Sequence, residues 1–202
     1  MSFYTEFDQL NVEDLKQRFC ASPPEGEEYA TVYYQEIGQL IQERGEEAID
    51  FLKNAIKTAN TSQLQGILFA LSNSQQKDGD LKTLLLSYLQ DHRSIIVMEA
   101  VDALSRLGAK DTLDYILALR EHSSPYVRAS VLRFLRRWYP EIAFNLLVEA
   151  LKDPDFIVRE NAADELGELE ITEAIDYLNP LLKDPHPDVR QAAQTAIEIL
   201  QA

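Results

Sequence analysis

The sequence predicts an all-α protein built of stacked helical hairpins, and three observations predict it. Leu151-Lys152-Asp153-Pro154, followed by Val158-Arg159 and Ala162-Ala163, recurs as Leu182-Lys183-Asp184-Pro185, Val189-Arg190 and Ala192-Ala193. Val158 and Val189 are 31 residues apart, and the same step backward lands on Val127-Arg128 and then on Ile96-Val97. Phased copies with a period of this size mark helix pairs that bury their apolar faces against one another in a linear array. Finally, 46% of the 202 residues are hydrophobic and only 7 are glycine, which supplies a core and argues against a loop-rich or all-β fold.

Taken in order, Asn11 is a plausible N-cap for a short helix to Cys20, with Glu13 and Asp14 in the favourable first turn. Ser22-Pro23-Pro24-Glu25-Gly26 stops that helix, since paired prolines cannot continue it. A longer helix is expected from about Glu27 to Arg44, with Tyr29, Val32, Tyr33, Ile37, Leu40 and Ile41 as one apolar stripe and Gly45 closing it. Residues 1–45 do not match the later pattern and read as a helical N-terminal cap. The rival is a docking segment anchored by Tyr33 and Tyr34, since tyrosine is enriched in interface hot spots.

Residues 46–202 read as one continuous array of about five hairpins. Ala48, Ile49, Leu52 and Ile56 mark one helix, and Leu64, Ile67, Leu68 and Leu71 its partner. After the polar stretch Ser74–Gly79, first helices are expected near 80–90, 111–121, 140–152 and 172–183. Second helices are expected near 94–107, 125–138, 155–168 and 187–201, with Pro125 and Pro187 near helix starts, where a missing N–H costs nothing. Four positions after Ile96, Val127, Val158 and Val189 stand Ala100, Val131, Ala162 and Ala193. Eight positions after them stand Leu104, Leu135, Leu166 and Ile197, and eleven after them Leu107, Trp138, Leu169 and Leu200. Those offsets share one helix face, so each second helix turns the same side inward.

The Asp-Pro turn, the following Val-Arg, the paired Ala and a later Leu-Gly together resemble a HEAT repeat. The spacing is similar to the short bacterial phycobilisome-lyase-type HEAT-like repeats, below the roughly 40–47 residues of the longer kind. The resemblance covers 80–202 well, 46–79 loosely and 1–45 not at all. It implies a right-handed α-solenoid with first helices outside and second helices lining a concave side. Its usual role is to bind proteins; some members attach or detach bilin chromophores, or assemble or degrade phycobilisomes. It also implies a structural ladder of turn Asp and helix Arg, here Asp153 with Arg159 and Asp184 with Arg190. His122 replaces the Asp before Arg128, and Val97 replaces the Arg after Asp91, which predicts a weaker ladder in two repeats.

Net charge of −15 argues against nucleic-acid or anionic-membrane binding, because phosphate neutralisation needs clustered Lys and Arg. A single cysteine, Cys20, suits a reducing compartment. No secretory signal pattern or membrane-spanning run is present, so a cytoplasmic location is expected. No phosphate loop, nucleophile elbow or paired metal-ligand motif occurs, so no catalytic residue, cofactor or metal is expected. His92, His122 and His186 fall in different repeats, about 10 Å apart, too far to share a metal held near 2 Å.

The informative surface is the second-helix side turned away from the core. On 125–138 that side carries Arg133, Arg136 and Arg137. The register then places Met98, Asp102 and Arg106 before it, Glu160, Asp164 and Glu168 after it, and Glu198 beyond. A basic rung beside an acidic one predicts either lateral salt bridges, Arg133 with Asp164 and Arg137 with Glu168, or a groove that orients a charge-segregated protein. The leading expectation is a non-enzymatic scaffold or adaptor. The alternatives are a bilin lyase or phycobilisome factor, carried by resemblance, and a cofactor or metal-cluster maturation accessory with Cys20 as its handle. Ile197, Ile199 and Leu200 near the C-terminal end predict docking or a homodimer there.

Overall fold

The computed structural model describes residues 4–23, 26, 29–74 and 79–202. Parts of the turns expected at Ser22–Gly26 and Ser74–Gly79, and the expected helix start near Glu27, lie outside the described residues. The described residues form helices and turns without strands, in two compact units, Met1–Ala109 and Lys110–Ala202. Both are stacks of helix pairs, the α-solenoid class.

The first unit holds α1 (Val12–Cys20), α2 (Ala30–Gln42), α3 (Glu46–Ala55), α4 (Thr61–Ser72), α5 (Gly79–Tyr88) and α6 (Ser94–Arg106). Helices α2, α4 and α6 form one layer, with α4 packed on both others; α1, α3 and α5 form the second layer. Asn11 caps α1 by accepting from the Asp14 amide at 3.0 Å. Asn60 and Gln63 form a reciprocal capping box on α4. The α2–α4 contact is unusually close because Gly38 faces Gly66: a Cβ on Gly66 would lie 2.4 Å from the Tyr34 carbonyl oxygen.

Tyr33 and Tyr34 belong to this core. Tyr33 meets Tyr4, Phe7 and Tyr34 edge-on, and Phe19 meets Tyr34 in the same way at 5.4 Å. The Tyr33 hydroxyl donates to the Arg18 carbonyl at 3.2 Å and that of Tyr34 to the Ala21 carbonyl at 2.8 Å. Burial pushes both phenols above their ordinary pKa. Both rings are buried, so the expectation that they anchor a docked partner is corrected. Tyr29 departs from the expected stripe and is half exposed.

The second unit begins with a 3₁₀ turn, Lys110–Thr112, and α7 (Leu113–Leu117). It continues with α8 (Pro125–Trp138), α9 (Pro140–Ala150), α10 (Phe156–Gly167), α11 (Ala174–Leu178), a 3₁₀ turn Asn179–Lys183 and α12 (Pro187–Gln201). The helix expected over 172–183 is thus split, because Pro180 removes the N–H that an α-helix interior needs. Helices α8, α10 and α12 lie side by side, and α9 packs on α8 and α10. Val127, Val158 and Val189, with Val131, Ala162, Ala193, Leu135, Leu166 and Ile197, are all buried. Each large aliphatic among them contributes roughly 1.5–3 kcal/mol. Small residues let the layer close up: a Cβ on Gly167 would lie 2.9 Å from the Ala196 Cβ.

Candidate partner-binding face

Two sets of side chains come from the second helices of the Lys110–Ala202 unit. One set locks the helices together, and the other is left to solvent.

The locking set includes the Asp–Arg ladder, but its partners differ from the expected ones. Arg159 grips the Asp184 carboxylate with Nε and Nη2, both at 2.9 Å. Its Nη1 donates to the carbonyls of Asp153 and Pro154 at 2.9 and 3.1 Å. Arg128 likewise grips Asp153, at 2.9 and 2.7 Å, and donates Nη1 to the His122 carbonyl at 2.8 Å. Each Arg therefore uses its own turn's backbone and the next turn's carboxylate, so the expected Asp153–Arg159 and Asp184–Arg190 side-chain pairs are corrected. Arg159 holds the Asp184 carboxyl below the usual range, and Asp184 raises Arg159 in return.

His122 does not weaken Arg128, because the guanidinium reads a backbone carbonyl there. Its Nδ1 accepts from the Ser124 amide at 3.0 Å, as Asp153 does from Asp155 and Asp184 from His186. In the first unit Asp91 pairs locally instead, with Arg93 at 2.8 and 2.9 Å. That pairing lowers the Asp91 carboxyl to about 2.

The expected salt bridges also shift. Arg133 donates to Asn161 and to Ser130 Oγ, both at 2.8 Å, rather than pairing with Asp164 as expected. Arg136 pairs with the buried Glu165. Arg137 lies over the Trp138 ring at 5.1 Å, and no ion pair joins it to Glu168. In the first unit Arg106 binds Ser72 Oγ at 2.8 Å and buried Glu99, and covers the Phe69 ring. Met98 and Asp102 lie half-buried on α6. Glu99 and Glu165 had a readable signal: each is an acid on the apolar side of its helix, where it needs a cation.

The solvent-facing set is acidic. Glu160, Asp164 and Glu168 lie one turn apart along α10, half-buried, exposed and exposed in turn. Glu198 on α12 is also exposed and accepts from Gln194 at 2.6 Å. Desolvation, then repulsion from Glu160, Glu165 and Glu168, pushes the Asp164 carboxyl up to about 6. Solvent still reaches that side chain, so screening limits what the shift is worth in energy. Such a face attracts cations, and the described residues contain no group of three or more His, Cys, Asp or Glu placed to hold a metal ion. At the end of α12, Ile197 and Leu200 are buried and Ile199 remains 47% exposed. No described helix is long and apolar enough to cross a membrane.

This arrangement, helix pairs in register with an arginine–aspartate ladder along their turns, is that of an α-solenoid of helical repeats. Residues 114–198 match the family model for HEAT repeats, so the chain carries HEAT repeats over that stretch. No curated protein matches the sequence.

Among solved structures, YibA of E. coli is similar with TM-score 0.74 and 16% identity, over 98% of this chain and 76% of that one. The complex of CpcE and CpcF of phycocyanin lyase from Nostoc sp. is similar with TM-score 0.51 and 16% identity, over 94% and 82%. A designed armadillo repeat protein in complex with the peptide (KR)4 is similar with TM-score 0.51 and 17% identity, over 95% and 100%. At these identities the likeness is one of fold.

Proposed function

We propose that this protein is a binding scaffold whose second-helix face, centred on Glu160, Asp164 and Glu168, captures a basic segment of another protein. The observation that carries the reading is the unneutralised row of carboxylates on α10, beside arginines already consumed by Ser130, Asn161 and Glu165. The expected two-sign groove thus becomes a mostly acidic one, and complementary charge sets partner choice and on-rate. A designed armadillo repeat protein of similar fold is in complex with the peptide (KR)4, which makes that peptide a suitable probe here. The likeness to phycocyanin lyase subunits is one of fold.

The test is fluorescence anisotropy of a labelled (Lys-Arg)4 peptide at low salt. The triple variant Glu160→Gln, Asp164→Asn, Glu168→Gln should weaken binding at least tenfold. A control of equal charge, Asp114→Asn, Glu141→Gln, Asp176→Asn, should leave it nearly unchanged. Equal losses in both would reduce the face to unspecific attraction by net charge and overturn the proposal.

A further inference from the structure

We infer that the groove between α3 and α5 is a binding site for a single-chain fatty carboxylate, a class of ligand unlike the basic segment proposed above. Both helices pack on α4. The space between them is floored by buried Leu71 of α4 and Leu81 of α5, and flanked by half-buried Ile56 and Leu84. Lys53 and Lys57, one helical turn apart along the α3 edge, and Asp80 on the α5 edge complete the described lining. That lining carries two cations and one acid, the reverse of a chain with net charge −15. Lys57 is exposed and joins no ion pair among the described residues.

Size, surface and charge together select the occupant. The groove holds about 390 Å³, near the lower end of the roughly 300–1,000 Å³ that ligand pockets span. That takes one aliphatic chain, whereas a docked protein needs roughly 20–30 residues a side. Leu71, Leu81, Leu84 and Ile56 present branched aliphatic carbon and no ring, so a flexible chain fits the wall better than a flat one. The lysine stems extend that wall while their ammonium ends stay in water. A chain buried there gains up to about fourfold in affinity per methylene. A carboxylate head left at the rim meets Lys57, whose three N–H donors turn freely toward an oxygen. The site lies in the first unit and has the opposite sign to the α10 face, so it stands whether or not that face captures a basic segment.

The probes are octanoate, decanoate and decyltrimethylammonium, titrated into the full chain while isoleucine and leucine methyl signals are followed by NMR. Decanoate should saturate shifts at Ile56, Leu81 and Leu84 before it moves exposed Ile95 or Ile199. Octanoate, two methylenes shorter, should bind at least about threefold more weakly. The ammonium amphiphile should also bind these methyls at least about threefold more weakly than decanoate, although the net charge of the chain favours it elsewhere on the surface. Lys57→Gln should weaken decanoate at least about threefold and leave the melting temperature unchanged, since the side chain is exposed. Equal binding of the two signs would reduce the groove to a greasy patch and overturn the inference. So would shifts led by Ile95 and Ile199, or a Lys57→Gln variant that binds decanoate as the parent does.

Discussion

Arg159 and Asp184 stand 25 residues apart in sequence and form a two-point ion pair, 2.9 Å at both contacts, that ties one hairpin turn to the next. Side chains of both are almost nine-tenths buried or more, so an unpaired survivor is costly. Arg159→Ala should destabilise the protein by about 2 kcal/mol, and Arg190→Ala, which leaves no carboxylate stranded, by less than about 1 kcal/mol. Urea unfolding of both variants checks the order. Equal losses would mean that the turn carbonyls, and not the carboxylate, are what these arginines stabilise.

Close helix approach in the first unit depends on Gly66. A Cβ there would meet the Tyr34 backbone oxygen at 2.4 Å, and backbone yields less than a side-chain tip. Gly66→Ala should cost about 3 kcal/mol or more, in the upper range of single substitutions. Gly167→Ala meets a methyl group at 2.9 Å and should cost about 1–2 kcal/mol through overpacking. Thermal denaturation of the two variants would refute this packing account if Gly167→Ala proved the worse.

Two aspartates make opposite pH predictions. The Asp91 carboxyl is held at about 2 by Arg93, below its unfolded value of 3.8. Its stabilisation is present above pH 4 and is lost as pH falls through about 2. Its partner Arg93 stays partly exposed, so solvent screening reduces the contribution to about 1 kcal/mol. Asp164 is raised to about 6 from 3.8, so its contribution is full below pH 4 and is lost as pH rises through 6. Asp164→Asn should therefore raise stability at pH 7 and leave it nearly unchanged at pH 4. Denaturant midpoints for the variant across that range check the sign.

Charge reversal on α8 should act on the fold before it acts on binding. Arg136→Glu faces buried Glu165 with a like charge and should destabilise by about 3 kcal/mol. Arg137→Glu, exposed over Trp138, should stay within about 0.5 kcal/mol of the parent. Circular dichroism melts of the pair separate the two roles.

The hairpin register was legible because it is written in residue type: Val127, Val158 and Val189 recur at one step and are all buried. The ladder's direction was not. With a period of 31, an Arg six residues after one Asp is also 25 residues before the next, so periodicity cannot say which carboxylate it holds. The salt-bridge expectation failed for a related reason. Stepping by one repeat from Arg133 gives Asp164, but neighbouring helices are staggered, and Arg133 meets Asn161. Spacing placed Glu160, Asp164 and Glu168 on the outward side, but it did not show that Asp164 and Glu168 would lack the expected arginine partners. The role of His122 was hidden because its backbone carbonyl, common to all residues, is what Arg128 reads.

Where a basic partner sits on this protein can be read by amide chemical-shift mapping of the labelled protein with unlabelled (Lys-Arg)4. The largest shifts should fall on the outward sides of α10 and α12, around Glu160, Asp164, Glu168 and Glu198, with little change at Asp114, Glu141 or Asp176. Shifts concentrated on α7, α9 and α11, or spread evenly over every acidic surface, would contradict it.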